Sequence, residues 1–249
     1  MSQISRLAAI IALFVLAVPV AADEPRQPKT FAVLVGVSSP GDAAIDARPA
    51  AEADAAALFD LVTDAKFIGA ERQNVRLLLG DDRGRNSEPA TREAILKALA
   101  WVSATAGKDD LVIVGMYGRG ATAGERTCLF TKGSTVKNRA KDALLAEEIE
   151  HAIKSMESEK LLVFLDVDYT GVKLDAKSAI EPNVADLAMA FVGDEDAEEK
   201  SLPPGRAVLI ASANVAPHID REGRGLFTRV ALEALTGKAD VEGYEADGN

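Results

Sequence analysis

The chain has 249 residues, of which 48% are hydrophobic and 27% are charged, and its formal net charge is −11 at pH 7. This composition is typical of a globular protein with one large domain or two small ones. An acidic chain without a basic patch or interleaved aromatic residues is a poor binder of nucleic acid and anionic membranes, which leaves basic peptides and cations as the expected partners.

The first 22 residues have the pattern of a signal peptide. Arg6 precedes an uncharged apolar stretch, residues 7–18, and small residues follow at the expected cleavage site. We expect cleavage before Asp23, a polar linker at residues 23–29, and a mature protein in the periplasm or outside the cell. An uncleaved membrane anchor is the alternative, although a spanning helix needs about 20 apolar residues and this stretch is shorter. No later segment has the pattern of a membrane span.

Five short apolar runs follow the linker, and each is rich in valine, isoleucine or leucine. Because polar residues do not alternate within them, the runs are typical of strands buried on both faces of a parallel sheet. The predicted strands are residues 31–37, 75–79, 111–116, 161–167 and 207–211.

Helical stretches separate the predicted strands, with apolar residues at helical spacing. Pro49, Thr91 and Asp142 are suited to begin the first three helices, and Gly237 to end the last. Alternating strands and helices predict an α/β fold, a three-layer sandwich around a mostly parallel sheet, over residues 30–249. The predicted helices are residues 50–62, 91–104, 144–156 and 226–235.

Two segments interrupt this alternation. Residues 121–141, with a short strand at 127–131, are expected to form a hairpin or loop insertion. Residues 173–204 are expected to form a loop. The chain stops in turn-like residues at Asp247-Gly248-Asn249, so we expect a further C-terminal segment to be missing.

Two glycine-flanked segments follow the third and fourth apolar runs: Gly118-Arg119-Gly120, and the stretch from Asp166 to Gly171. Both are expected at the carboxyl ends of buried strands. In an open parallel sheet these ends form the ligand crevice, so we predict the functional site there.

The order of the segments resembles the caspase and metacaspase superfamily of cysteine peptidases, over roughly residues 30–240. The resemblance implies a caspase-like (caspase–hemoglobinase) fold. Its motifs match in order and spacing, although no single motif is decisive. The matching segments are Phe31–Val37, Ala53–Ala55, Ala90–Ile95, Asp109–Leu111, Gly225–Thr228 and Leu232–Asp240.

The sequence differs from the superfamily at the two catalytic positions. In the family a histidine base ends the third strand and a cysteine nucleophile ends the fourth; Arg119 and Asp168 occupy these positions here. Arginine stays protonated and accepts no proton, and a carboxylate is a much weaker acyl acceptor than a thiolate. The resemblance therefore implies an inactive pseudopeptidase without catalytic residue, metal or cofactor, which binds a peptide or protein, such as an active peptidase relative.

The resemblance also implies a binding set in the crevice. Asp54 and Asp166 match acidic residues that line a pocket for basic side chains in metacaspases, and Tyr117 replaces the pocket serine and is expected to fill it. Tyr169, after Asp168, completes the set. Arg119 and Asp168 either pair across the old cleft or bind a ligand directly, and we favour the pairing.

A phosphatase is the first alternative. The segment from Asp166 to Thr170 also matches the Asp-x-Asp-x-Thr signature of haloacid-dehalogenase-type phosphatases, in which the first aspartate attacks phosphorus, the second is acid or base, and Mg²⁺ binds nearby. Residues 192–196 resemble the acidic metal motif of that family. Only about two dozen residues separate the two motifs, too few for the strands that normally lie between them.

A relocated cysteine peptidase is the second alternative, with Cys128 as nucleophile. Cys128 is the only cysteine, and a lone cysteine in an apolar context is most often a packing residue. The two histidines, His151 and His218, have no identifiable partner or metal-ligand spacing. The acidic run Asp194–Glu199 is a weak Ca²⁺ candidate, although a solvated loop is the favoured interpretation.

Overall fold

The computed structural model shows an α/β protein. The predicted signal peptide, the acidic run at 194–199, His218 and the chain end lie outside the described residues. Across the described ranges, no helix combines the length and the apolar character that crossing a membrane requires. The structure describes residues 26–81, 84–174, 182–192, 205–211 and 223–238.

Eight strands of the described residues form one mixed sheet. They are β1 (Thr30–Gly36), β2 (Val75–Leu79), β3 (Glu88–Pro89), β4 (Leu111–Ala123), β5 (Arg126–Leu129), β6 (Leu144–Leu145), β7 (Lys160–Asp168) and β8 (Arg206–Ile210). The strands β3-β2-β1-β4-β7-β8 are parallel in this spatial order, and β5 and β6 extend the end of β4 in antiparallel pairing. The chain runs outward from β1 to β2 on one side and to β4 on the other. The carboxyl ends of β1 and β4 therefore form the switch point where ligands bind in open sheets.

Helices lie against both faces of the sheet. One hydrophobic cluster joins Leu58 and Leu232 to one face, and a second joins Leu99, Ile149 and Phe191 to the other. The predicted α/β class is confirmed, and β1, β2, β4 and β7 are largely buried, as their continuous hydrophobic runs require. The prediction of a buried strand is wrong for β8, which pairs only with β7 among the described strands and leaves Leu209 and Ile210 39% and 42% exposed. The helices are α1 (Ala50–Thr63), α2 (Arg92–Thr105), α3 (Arg139–Asp142), α4 (Ala146–Ile153), α5 (Asp186–Val192) and α6 (Leu226–Leu235).

Strand β4 is longer than predicted. The sequence pattern ended it at Met116, whereas the strand continues to Ala123 and pairs first with β1 and β7 and then with β5. Gly120 makes this possible, since a β-carbon there would lie 2.7 Å from Cε1 of Tyr169 and 2.8 Å from the carbonyl oxygen of Cys128. Arg119 consequently lies inside a strand, and the predicted hairpin insertion is confirmed.

The third predicted helix begins later than expected. Leu144–Leu145 forms β6, and Asp142 ends α3, so the prediction that Asp142 caps the helix is wrong. Its carboxylate instead accepts hydrogen bonds from the N–H (3.2 Å) and hydroxyl (3.0 Å) of Thr135. The Glu148 carboxylate caps the start of α4, because it accepts a hydrogen bond from the N–H of Leu145 at 3.1 Å.

The segment 173–204 is not entirely a loop, because it contains α5. Leu187 and Phe191 lie one helical turn apart and are buried against the sheet. At the start of α5, the Asp186 carboxylate accepts from the N–H of Thr127 at 2.6 Å, and this ties the helix to β5. Seven residues are too few for a clear helical period in the sequence.

Candidate functional site

Arg119, inside β4, meets Asp168 at the carboxyl end of β7. They are direct register partners on adjacent parallel strands, and Nη1 of Arg119 donates to Oδ2 of Asp168. Their side chains are 10% and 18% exposed. The predicted pairing of the two residues is therefore confirmed.

The Arg119 guanidinium has further partners on two loops. Its Nε and Nη2 donate to the carbonyl oxygens of Asp46 and Ala47, both at 3.1 Å. Its Nη1 also donates to the carbonyl oxygen of Thr170 at 3.1 Å. Arg119 thus fastens the loop after β1 to the segment after β7, and a direct ligand role would require some of these bonds to break.

Asp168 is held as a carboxylate. Burial alone would raise the pKa of Asp168. The N–H and the hydroxyl of Thr170, which both donate to the carboxylate at 2.8 Å, and the charge of Arg119 outweigh this effect of burial. The pKa of Asp168 therefore lies below its ordinary value. An ionised, hydrogen-bonded carboxylate beside a guanidinium has no general base to assist it, so the pair lacks the chemistry of acyl transfer.

A second arginine fills the predicted acidic pocket. Nη2 of Arg48 lies 2.5 Å from Oδ1 of Asp166. Its Nη1 donates to the main-chain carbonyl of Asp166 and, at 3.4 Å, to that of Gly118. Sequence reasoning missed Arg48, which is one arginine in a loop and has no spacing that indicates its partner.

Asp54 is fully buried on α1 and only half satisfied. Its Oδ1 accepts from the N–H of Gly225 at 2.8 Å, whereas its Oδ2 has no hydrogen-bond partner among the described residues. Burial, and secondarily the charge of Asp166, raise its pKa to about 6. A β-carbon on Gly225 would lie 3.0 Å from Oδ2 of Asp54 and 3.6 Å from Oδ2 of Asp166, so both carboxylates face one point.

Tyr117 is buried beside these carboxylates, in the hydrophobic cluster under α1. Burial, followed by the charges of Asp54 and Asp166, raises the pKa of its hydroxyl above the ordinary value. The phenol therefore stays neutral at physiological pH. Thr228 on α6 also lies beside Asp54 and Tyr117. Sequence reasoning noted Thr228 only as part of a segment that resembles the family, and did not predict that it reaches this group.

Tyr169 lies apart from the other predicted site residues. It packs with the hydrophobic cluster on the opposite face of the sheet, and its ring contacts the backbone at Gly120. Burial raises the pKa of its hydroxyl above the ordinary value. The structure thus brings together Asp54, Tyr117 and Asp166 with Arg48, and Arg119 with Asp168, but does not bring Tyr169 into either group.

The residues of the two enzyme alternatives have different surroundings. Cys128 is fully buried, and burial raises the pKa of its thiol to about 12, so the thiol is protonated and out of reach of a peptide. His151 is exposed on α4. The two aspartates of the phosphatase signature, Asp166 and Asp168, are each paired with an arginine. Residues 193–196 of its metal motif lie outside the described residues, and within the described part no group of three or more His, Cys, Asp and Glu is placed to hold a metal.

Comparison with known proteins found similarity to solved structures alone. Neither a protein-family model nor a curated protein matches the chain. The chain is similar to the crystal structure of protein GSU0716 from Geobacter sulfurreducens, with 20% identity and a TM-score of 0.40, over 58% of this chain and 52% of that one. The similar region thus spans about half the length of that protein.

Proposed function

We propose that the protein is an exported pseudopeptidase of caspase-like fold, a three-layer domain that binds a peptide or protein partner and does not cleave it. The observation that carries the proposal is the Arg119–Asp168 pair on adjacent central strands. The caspase resemblance assigns these two positions to the base and the nucleophile. A guanidinium accepts no proton, and a carboxylate fixed by three donor contacts is a poor nucleophile.

The sheet supports this proposal through its topology. The pair lies beside the switch point between β1 and β4, where an open parallel sheet offers a crevice. Both sides of the crevice are tied together by Arg119, so its walls are rigid. The net charge of −11 favours a basic partner, and the signal-peptide pattern of residues 1–22 supports an encounter outside the cytoplasm.

The first test is a cleavage and binding assay on the mature chain, residues 23–249. Peptides with Arg, Lys or Asp at the scissile position are offered with and without Ca²⁺, which also tests the acidic run at 194–199. We expect binding without turnover. Cleavage that Cys128→Ser abolishes would contradict the proposal in favour of a relocated cysteine peptidase, and Mg²⁺-dependent phosphate release that Asp166→Asn abolishes would contradict it in favour of the phosphatase.

The second test restores the missing dyad. The double variant Arg119→His with Asp168→Cys places a base and a thiol on register partners, and we expect weak peptide hydrolysis that iodoacetamide stops. Each single variant is the control and should remain inactive, since loss of one member of such a unit costs on the order of 10⁶ in turnover. A folded double variant without hydrolysis would argue against a preserved peptidase scaffold.

A further inference from the structure

A cavity lies between helices α1 and α6, away from the crevice. Its volume is about 400 Å³, within the range of roughly 300–1,000 Å³ that is typical of sites for small ligands. The crevice lies near the start of both helices, where the Asp54 carboxylate accepts from the N–H of Gly225. Asp60 and Asp64, which line the cavity, are about 9 and 15 Å farther along α1, at about 1.5 Å per residue. The cavity is therefore separate from the crevice.

One arginine in the wall of this cavity lacks a partner. Nε of Arg229, on α6, is buried and has no hydrogen-bond partner among the described residues. Its guanidinium also forms no salt bridge within the described ranges, although three carboxylates line the same cavity. A buried N–H group without an acceptor is unfavourable, so the fold alone does not account for an arginine at this position.

The charges around the cavity favour a singly charged anion. Asp60 is already neutralised, because Nε and Nη2 of Arg85 donate to its two carboxylate oxygens at 2.6 and 2.7 Å. Asp64 and Glu233 remain to oppose a phosphate dianion. A carboxylate has one charge, and its two oxygens match two parallel N–H groups of a guanidinium. The charged lining residues are Asp60, Asp64, Glu233, Arg224, Arg229 and Lys238.

The rest of the wall is largely apolar. Leu61 and Leu232 are buried at the cavity, and Phe67, in the loop after α1, is exposed. An apolar ligand that contacts these side chains removes their surface and its own from water, which favours binding. The cavity thus combines apolar surface with a guanidinium that has no partner in the described part of the chain.

We propose that this cavity binds a small organic monocarboxylate with an apolar body. The ligand carboxylate pairs with Arg229 and supplies the acceptor that Nε does not find in the protein. The apolar body packs against Leu61, Phe67 and Leu232. This second site does not depend on the proposed peptide-binding function.

Three probes test the class of ligand by isothermal titration calorimetry on the purified chain. Hydrocinnamate has the carboxylate and an apolar body, hydrocinnamyl alcohol has the body without the charge, and acetate has the charge without the body. We expect saturable binding of hydrocinnamate and binding of the other two that is weaker by a factor of about ten or more. Phenyl phosphate should also bind more weakly than hydrocinnamate, and tighter binding of the phosphate would contradict the assigned class.

Variants of the wall test where hydrocinnamate binds. Arg229→Gln should raise its dissociation constant by a factor of about ten or more, because the charged donor is lost. Phe67→Ala should also weaken binding, because apolar contact is lost. The matched control is Lys66→Gln, which removes one positive charge beside Phe67 from an exposed side chain that does not line the cavity. It should leave the dissociation constant within about a factor of two.

The stability of the ligand-free protein separates a binding role of Arg229 from a structural one. Arg229→Met replaces the unpartnered donor with an apolar side chain and should not lower the Tm. The control is Arg92→Met, which breaks the ion pair of Arg92 with Glu148 and should lower the Tm by about 2 to 4 °C.

Three results would overturn the inference. Hydrocinnamate may fail to bind saturably at millimolar concentrations. It may bind Arg229→Gln as tightly as the wild-type chain, which would place its site elsewhere. Arg229→Met may lose as much Tm as Arg92→Met, which would show that Arg229 has a structural role instead.

Discussion

Two buried aspartates differ in the hydrogen-bond donors and the charges that surround their carboxyl groups. Asp54 and Asp110 are 0% and 1% exposed. Asp54 has one N–H donor and a pKa raised to about 6. Burial would also raise the pKa of Asp110, but the N–H groups of Lys29 and Gly107 and the guanidinium of Arg26 outweigh it, and the pKa is lowered.

The raised pKa of Asp54 predicts a stability that falls as pH rises. The folded-state pKa is above the ordinary value of 3.8, so the stabilisation is complete below that value and is lost as pH rises through about 6. Asp54→Asn stays neutral and keeps an acceptor for Gly225. We expect it to raise the free energy of unfolding by roughly 2–3 kcal/mol near pH 8, with little difference near pH 4, in urea unfolding at each pH.

Asp110→Asn is the matched control with the opposite sign. Its folded-state pKa is lowered, so its contribution is present above the unfolded value and is lost as pH falls through the folded value. The variant should therefore be destabilised at neutral pH. If Asp54→Asn were also less stable than the wild-type chain near pH 8, the account of its half-satisfied carboxylate would be wrong.

Sequence reasoning identified some residues of the candidate site and missed others for a physical reason. Asp54, Tyr117, Arg119, Asp166 and Asp168 were placed through the ends of the apolar runs and the family resemblance. The partners that fix their chemistry are remote in sequence: Arg48 is 118 positions from Asp166, and Gly225 is 171 positions from Asp54. Local patterns contain no information about which of many arginines or N–H groups closes such a contact.

At the scale of elements, helix α1 packs on the end of β1 through small residues. Ala51 and Ala55 are fully buried against the sheet. A β-carbon on Gly36 would lie 2.5 Å from the carbonyl oxygen of Ala51 and 2.9 Å from Cβ of Ala55. This close approach positions Asp54, on the same helix, at the site.

We expect Gly36→Ala to disrupt this packing. The added methyl group meets helix backbone that cannot rotate away, so the free energy of unfolding should fall by about 3 kcal/mol or more, measured by urea denaturation. Gly124→Ala is the control, because the hairpin tip is open and only its positive φ of 72° opposes a side chain. That change should cost about 1–2 kcal/mol. Equal losses in the two variants would contradict the proposed close contact.

The sequence predicted the boundaries of some elements well and missed those of others. Strand β2 and helix α6 have the predicted bounds, and Thr91 caps α2 as expected by accepting from the N–H of Ala94 at 3.2 Å. The elements that the sequence did not predict are short or form only by pairing with a distant segment. Strand β6, for example, has two residues and pairs with β5. A pattern needs several repeats before its period is visible.

At the scale of the whole molecule, the single thiol reports on the native fold. Cys128 packs with Ile45, Ala121 and Phe130 in a small cluster under the hairpin, and it is fully buried. We expect the rate at which iodoacetamide alkylates Cys128 to be lower in the native protein than in the denatured chain by a factor on the order of 10³ or more, because the thiol becomes accessible only when the protein unfolds. A catalytic Cys128 would react rapidly instead.

The control for this measurement moves the thiol to the surface. The variant Cys128→Ser with Lys97→Cys carries it on the exposed side of α2 and should react at the rate of the denatured chain. Rapid alkylation of native wild-type protein, with this control behaving normally, would show that the hairpin opens locally.

Strand β4 has a consequence for the thermodynamics of recognition. Its 13 residues have strand partners along their length, and Arg119 lies among them rather than on a free loop. The conformational entropy of this wall of the crevice is therefore lost during folding and not during association. A partner meets a surface that is already ordered, so the entropic cost of ordering at this wall falls on the partner's own chain.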